Sequence, residues 1–142
     1  MSKIKRLKEC TLDNNHIINL LSQLTYTPAI SDTDFKRIIT SLPDNIEIFV
    51  YTVDEIPIGM ATILVEQKII HGGKCVGHIE DVVVDKQHRG KGIAKTLLQH
   101  CITYGKNSNC YKIILDCGPD MISYYESCGF SSKNIGMAHY FT

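Results

Sequence analysis

The chain has 142 residues, of which 44% are hydrophobic, and this is enough for one ordinary core; it predicts a single domain over residues 1–142. Fifteen Lys and Arg residues balance fifteen Asp and Glu residues, which excludes the large net charge that attracts nucleic acid or an anionic membrane. No apolar run has the length of a signal peptide or a membrane span, so we expect a cytoplasmic protein.

Six cysteines and six histidines are scattered along the chain. Without a secretory signal, and with a core of this size, free thiols are expected rather than a disulfide framework. None of the cysteines forms a C-x-x-C pair, and no His or Cys pair has metal-ligand spacing. The sequence therefore predicts no metal site.

Two helices are predicted in the first third of the chain. Residues 16–24 carry an apolar stripe at helical spacing, which follows the turn formers Asp13 and Asn14. Ser31, with Asp34 three residues later, resembles a capping box for a second amphipathic helix that Pro43 stops.

The middle of the chain predicts strands. Residues 46–53 and 58–68 are β-rich and are separated by a polar turn with proline, so they should pair antiparallel. Gly72-Gly73 then reverses the chain into a strand over residues 75–85.

The last third predicts a helix, a strand, a short helix and a strand. The first helix spans residue 93 to about 104, and a buried-looking strand follows over 111–117. Pro119 opens the short helix, which ends at Gly129, and the last strand includes residues 137–141.

The most informative stretch is Gly77–Lys95, GHIEDVVVDKQHRGKGIAK, in which a strand leads into a glycine-rich basic turn and a helix. Such a turn lets bare backbone N–H groups approach a ligand at a helix start, which is typical of an anion site. A P-loop does not fit, because Arg89 and Ala94 stand where its glycines belong. The dinucleotide fingerprint is weak, since Lys95 occupies its last position.

The turn Arg89-Gly90-Lys91-Gly92-Ile93-Ala94 resembles the acetyl-CoA pyrophosphate loop of the GNAT acetyltransferase superfamily. Other motifs look like those of the eukaryotic-type glucosamine-6-phosphate N-acetyltransferases, and the similarity runs from about Leu24 to Met137. These motifs are KIIH at 68–71, GHIED at 77–81, CYKIILDC at 110–117 and YESCGF at 125–130.

The resemblance implies an α/β (α+β) protein with the GNAT fold, a central mixed β-sheet flanked by helices. In that fold the central parallel strands splay apart, and the free backbone of Val82, Val83 and Val84 would pair with the pantetheine arm of acetyl-CoA. The pyrophosphate would rest on the turn and helix start. The implied cofactor-binding residues are Val82, Val83, Val84, Arg89, Gly90, Lys91, Gly92, Ile93, Ala94, Lys95 and Tyr125.

The implied reaction is direct attack of an amine on the thioester of acetyl-CoA, which acts as co-substrate. Tyr125 matches the tyrosine that hydrogen-bonds the coenzyme A sulfur. Glu80, or the region of Asp116 through its carbonyl or a water, would relieve the amine of its proton, and the sequence does not choose between them. The product would lead toward UDP-N-acetylglucosamine.

The acceptor implied by the resemblance is glucosamine 6-phosphate, whose phosphate oxygens accept hydrogen bonds from hydroxyl and cationic donors. Two neighbouring carboxylates, Glu80 and Asp81, should project to opposite faces of their strand, so that one faces inward. The implied substrate-binding residues are Thr25, Lys68, Ile69, Ile70, His71, Glu80, Asp81, Val82, Tyr111, Lys112, Asp116 and Tyr140.

Two positions depart from the family pattern. Tyr140, with His139 beside it, stands where the family has an arginine that reaches the sugar phosphate, and Met121 stands where an asparagine is common. The resemblance also implies an intertwined homodimer, in which the C-terminal segment helps to build the partner's site.

Three alternatives stay open at this point. The chain could acetylate another amine, such as a polyamine or a protein N-terminus, or could be a silent acetyl-CoA-binding module. A ping-pong transferase using Cys117 or Cys128 has no His-Cys-Asp arrangement in its favour, and burial of these thiols is the better interpretation.

Overall fold

The computed structural model describes residues 1–141, so that Thr142, the last residue of the predicted domain, lies outside the described part. One five-stranded sheet has the strand order β1-β2-β3-β4-β5. Its strands are β1 Ser2–Arg6, β2 Ile46–Val53, β3 Ile56–Gln67, β4 Cys75–Val84 and β5 Cys110–Ile114. The helices are α1 Asn14–Leu21, α2 Asp32–Ser41, the single turn α3 Ile70–Gly73, α4 Ile93–Asn107 and α5 Ile122–Ser127.

The predicted mixed sheet is confirmed. Strands β1 to β4 pair antiparallel in succession, whereas β4 and β5 are parallel and are joined through α4. Each face of the sheet has its own core: α4 covers one, where Phe49 and Leu97 are buried, and α1 covers the other, where Ile17 and Val50 are buried. Within residues 1–141, no helix has the length and apolar character needed to cross a lipid bilayer.

The helix starts follow the predicted signals. The Asp13 carboxylate accepts a hydrogen bond from the Asn15 amide at the start of α1, and the Ser31 hydroxyl accepts one from the Asp34 amide at the start of α2. Helix α1 ends at Leu21, three residues before the end of the apolar stripe at Leu24. The chain continues there as a tight turn, in which the Leu24 amide bonds to the Leu21 carbonyl.

Strand β1 was not predicted. Its sequence, SKIKR, has only one apolar residue, so no period of two can be read from it. Lysines are common on edge strands, where they discourage pairing with other chains, and β1 is an edge strand beside β2. Only the tertiary pairing with β2 reveals this strand.

The predicted strand over residues 137–141 is wrong for the described chain, which has no regular secondary structure there. A strand needs a partner for its backbone groups, and the sheet ends at β5. The side chains in this segment are also exposed, with Met137 at 95% and Phe141 at 94%. Strand β5 is likewise shorter than predicted, ending at Ile114 rather than at residue 117.

Two glycines let α4 lie close to the sheet. A Cβ atom added at Gly105 of α4 or at Gly77 of β4 would overlap Cδ1 of Ile113 on β5. The bare backbone at both positions therefore makes room for Ile113, and the parallel pair β4–β5 is held tightly beneath the helix.

Candidate functional site

An opening in the sheet lies beside the second half of β4. The parallel pairing with β5 extends only from Cys75 to His78, and β4 then runs on to Val84 with no strand on that side within the described residues. Backbone groups of residues 79–83 on that side are available for an extended ligand, which is the arrangement expected for Val82 and Val83, whereas the Val84 carbonyl already accepts a hydrogen bond from Arg89 Nε.

A β-bulge shapes the same part of β4. Thr62 of β3 faces Glu80 and Met60 faces Val83, so that Asp81 and Val82 share a single partner position. Asp81 has a φ of 52°, in the left-handed region. The extra residue changes the face to which the following side chains point.

The bulge overturns the prediction that one of the two carboxylates faces inward. Ile79 and Val84 point to the α4 face, while Val83 points to the α1 face, which a regular alternation would not allow. Both Glu80 and Asp81 remain exposed beside the opening. Neither carboxylate therefore needs a buried partner.

The glycine-rich turn precedes α4 as predicted. Gly90 and Gly92 have φ values of 79° and 78°, and Gly92 is the residue that caps α4. The first amides of a helix have no partner within it, and α4 has 15 residues with a correspondingly developed dipole. No heavy atom lies within 4 Å of where a Cβ would be at either glycine, so the turn is open to an anion.

Cations surround this turn. Arg89, Lys91 and Lys95 are exposed, and the Arg89 Nε donates to the Val84 carbonyl at 3.1 Å, which fixes the turn to the end of β4. A shallow cavity of about 460 Å³ adjoins the turn and is lined by Gly92 and by residues of α4 that include Lys95 and Thr96. The amides, the cations and the free space fit the diphosphate of coenzyme A.

Tyr125 lies on α5, beside the opening. It packs against the core cluster on the α4 face of the sheet, which Val82 of β4 and Ala94 of α4 also contact. Its ring meets those of Tyr124 and Phe130 edge to face, with centroids 5.4 Å and 6.1 Å away. Partial burial, with Cys117 and Cys128 nearby, raises the pKa of Tyr125, so the phenol is protonated at neutral pH.

One candidate base, Glu80, lies on β4, and the other, Asp116, follows the neighbouring strand β5. Although Glu80 is exposed, partial desolvation of its carboxylate raises its pKa above the usual value near 4.5, and the charges of Asp81 and Asp116 raise it further. Asp116 follows β5 and is exposed. The C-terminal segment passes it, since a Cβ at Gly136 would lie 3.3 Å from its Oδ1.

One predicted phosphate-binding cation, Lys68, shares a carboxylate with His78, and sequence reasoning missed both His78 and this acid. Lys68 Nζ lies 3.0 Å from one carboxylate oxygen of Glu66, and His78 Nε2 lies 2.8 Å from the other. These hydrogen bonds, first from His78 and then from Lys68, lower the pKa of Glu66. Alternation along β3 was a usable signal, because residues 66 and 68 share one side of an extended chain.

A second basic group lies at the start of β5. The His71 ring stacks on the Tyr111 ring with centroids 4.1 Å apart, and Lys112 Nζ lies 5.6 Å from the same tyrosine ring. His71 adopts a φ of 53°, which aligns its ring with β5. The structure thus brings His71, Tyr111 and Lys112 together, as predicted.

Other predicted substrate residues are not enclosed. Thr25, in the turn after α1, is exposed, as are Ile69 at 97% and Ile70 at 58%. Tyr140, which replaces the family's arginine, is 85% exposed in the unpaired C-terminal segment.

The cysteines are all free thiols, and burial raises the pKa of the Cys101 thiol to about 12. Cys117 and Cys128, the candidate nucleophiles of the ping-pong alternative, lie near Tyr125. The expected burial is wrong for Cys117, which is exposed because the chain has left β5 at Ile114, and Cys128 is half-buried. Across residues 1–141, no three His, Cys, Asp or Glu side chains are grouped to hold a metal ion.

Known protein sequences are similar to this chain over most of its length. The model of the acetyltransferase (GNAT) family matches residues 11–130. The glucosamine 6-phosphate N-acetyltransferase of Arabidopsis thaliana is 37% identical, over 98% of this chain and 96% of that protein. That of Candida albicans is 34% identical, over 94% and 91% respectively.

Solved structures of two acetyltransferases have the same fold as this chain. The crystal structure of glucosamine-6-phosphate N-acetyltransferase from Arabidopsis thaliana superposes with a TM-score of 0.90 at 32% identity, over 100% of this chain and 99% of that one. An acetyltransferase of Trypanosoma brucei gives 0.91 at 29% identity, over 99% and 100%. The chain therefore belongs to the acetyltransferase (GNAT) family and, within it, to the family of glucosamine 6-phosphate N-acetyltransferases.

Proposed function

We propose that this protein transfers the acetyl group of acetyl-CoA to the amine of D-glucosamine 6-phosphate. The products are N-acetylglucosamine 6-phosphate and coenzyme A, a step toward UDP-N-acetylglucosamine. The observation that carries the proposal is the similarity to glucosamine 6-phosphate N-acetyltransferases over nearly the full length of both chains.

Acetyl-CoA supplies the acetyl group as a thioester. Its diphosphate lies against the amides and cations of residues 89–95, and its pantetheine arm pairs with β4 at residues 82 and 83. The open turn at Gly90 and Gly92 and the missing neighbour of β4 support this placement.

The proposed chemistry needs one proton removed and one delivered. The amine nitrogen bonds to the acetyl carbon, the carbon–sulfur bond breaks, the amine loses a proton and the thiolate gains one. Tyr125 delivers the second proton, and its raised pKa keeps the proton available at neutral pH. Glu80 or Asp116 accepts the first, and the raised pKa of Glu80 makes its carboxylate a stronger base than an ordinary glutamate.

The acceptor phosphate is assigned to the basic groups beside β4 and β5. His71 and Lys112 lie together on Tyr111 and supply the basic donors, whereas Thr25, two residues from Gln23, lies near the opposite end of β4 and is not part of this group within one chain. Lys68 is held by Glu66, so its charge is partly offset before any phosphate arrives.

The proposal extends to a homodimer in the cytoplasm. The C-terminal segment exposes Ile135, Met137, Tyr140 and Phe141, each by at least 85%, and a second copy of the chain would cover these side chains. The six free cysteines fit the reducing conditions of the cytoplasm.

The experiment is a thiol-release assay with acetyl-CoA and glucosamine 6-phosphate. We expect rapid release of coenzyme A with this acceptor, and much slower release with unphosphorylated glucosamine or spermidine. Equal or faster release with spermidine would favour an enzyme for another amine, and no release with any acceptor would favour a silent binding module.

A further inference from the structure

The chain that leads into the proposed diphosphate-binding turn is bonded to one side chain from the segment that follows α1. Gln23 lies two residues beyond the end of α1, yet its Nε2 donates to Asp85 Oδ1 at 2.8 Å and its Oε1 accepts from the Lys86 amide at 2.8 Å. Both polar atoms of the Gln23 amide therefore form hydrogen bonds with residues that lie 62 and 63 positions later in the sequence. We call this arrangement the Gln23 bridge, comprising Gln23, Asp85, Lys86 and His88.

Asp85 carries the bridge onward into the turn. Its second carboxylate oxygen, Oδ2, lies 2.7 Å from His88 Nδ1, and its backbone carbonyl accepts from the His88 amide at 2.8 Å. Its own amide donates to the Ile58 carbonyl at 2.8 Å, which fixes it to β3. Asp85 thus joins α1, β3 and the chain leading to Arg89.

The polarity of the bridge is fixed. Only the oxygen of the Gln23 amide can accept from the Lys86 N–H, so the nitrogen must face Asp85, whose carboxylate can only accept. Gln23 is exposed and the Asp85 side chain is 19% exposed, so the strength of these bonds comes from the charge of the carboxylate: the hydrogen bonds from Gln23 and then His88 lower the pKa of Asp85.

The turn beyond the bridge has few restraints of its own. Residues 89–92 are exposed, and both of its glycines occupy the left-handed region, so an unrestrained chain here would sample many conformations. Amides that are already aimed at a ligand bind it more tightly, since less ordering remains to be done on binding.

We infer that Gln23 and Asp85 are positioning residues, which hold the turn at residues 89–92 in the conformation that binds the coenzyme A diphosphate. The inference rests on the proposed function of that turn. Neither residue contacts the reacting atoms in this assignment; both act through the placement of the turn.

A reciprocal exchange tests the bridge. In Gln23→Glu, the new carboxylate accepts from the Lys86 amide but cannot donate to Asp85 and repels it. In the double variant Gln23→Glu/Asp85→Asn, the Asn amide nitrogen donates to the Glu carboxylate and its oxygen still accepts from His88. Every hydrogen bond of the bridge is then restored, with one of them reversed in direction.

The measurement is the Kd of coenzyme A by calorimetry, well below the thermal unfolding midpoint of each variant. We expect Gln23→Glu to weaken binding about tenfold and the double variant to return to within about twofold of wild type. The KM for acetyl-CoA should follow the Kd, while kcat at saturating acetyl-CoA stays within about twofold. Gln23→Met, which has similar length but no hydrogen bonds, serves as a second disrupting variant if Gln23→Glu does not fold.

Asn45→Asp is the matched control. It removes the hydrogen bond that Asn45 Nδ2 donates to the Val65 carbonyl at 3.2 Å. Val65 lies toward the end of β3 that is opposite to Gly59, and Gly59 pairs with Val84, the residue next to the bridge. It should lower stability without changing the Kd of coenzyme A.

Wild-type affinity in Gln23→Glu, or a double variant no tighter than Gln23→Glu, would overturn the inference and leave the proposed function standing. A wild-type protein that does not bind coenzyme A would overturn both.

Discussion

At the residue scale, the candidate site combines an acid that stays protonated with a base whose pKa lies above its usual range. Tyr125 and Glu80 both have raised pKa values, and partial desolvation is the leading cause for each. Such pairs are typical of proton transfer near neutral pH. They make the two residues the natural targets for substitution.

Replacing Tyr125 by Phe removes the proposed proton donor and leaves the ring packing on Phe130 in place. We expect kcat to fall about 100-fold, a typical contribution of a positioned acid, with the Kd of coenzyme A unchanged within about twofold. Steady-state thiol release and calorimetry measure the two quantities. Tyr124→Phe is the neighbouring control, and a wild-type kcat in Tyr125→Phe would contradict the assignment.

If Glu80 is the base, kcat/KM depends on pH. A base must be deprotonated to work, so kcat/KM should fall as the pH drops through the pKa of Glu80, which lies above 4.5. Glu80→Gln should lower kcat/KM and abolish this acid limb. If instead the limb persisted in Glu80→Gln and disappeared in Asp116→Asn, the base would be assigned to Asp116.

At the element scale, the β4–turn–α4 unit brings the site together. The bulge at Asp81 exposes both carboxylates, the early end of pairing with β5 frees the backbone of β4, and Gly92 starts α4. The unit as a whole was readable from the glycine and β-branched pattern. The bulge was not, because it depends on the register with β3.

Gly92→Ala introduces a Cβ in the left-handed region at a φ of 78°. The strain costs about 1–2 kcal/mol in this conformation, and a turn that relaxes to avoid it misplaces the amides. We expect the Kd of coenzyme A to rise about tenfold in calorimetry. Gly73→Ala, which has the same φ and equally open surroundings, should lose similar stability and keep wild-type affinity.

Gly105→Ala places a methyl group against Ile113 Cδ1. We expect the free energy of unfolding in urea to fall by about 1–3 kcal/mol through overpacking. Adding Ile113→Val removes that Cδ1 atom and should recover part of the loss. A double variant no more stable than Gly105→Ala would show that the contact is not the cause.

At the scale of the whole molecule, the exposed C-terminal segment distinguishes a monomer from the proposed homodimer. Met137→Asp puts a charge on a side chain that is 95% exposed in one chain and apolar in character. In light scattering we expect the wild type to have twice the 16.0 kDa mass of one chain. The mass of the variant should shift toward that of a single chain. Lys133→Asp is the control, and a wild type that stays at one chain's mass would contradict the dimer.

The sequence by itself determined the order of the helices and most strands, the glycine-rich turn and the aromatic pair on α5, because these depend on local periodicity and on backbone freedom at glycine. Tertiary structure alone decided four features: the edge strand β1, the unpaired state of residues 137–141, the bulge at Asp81 and the bridge from Gln23 to Asp85. Each of these depends on which distant backbone or side chain is the partner, and no local pattern encodes that choice.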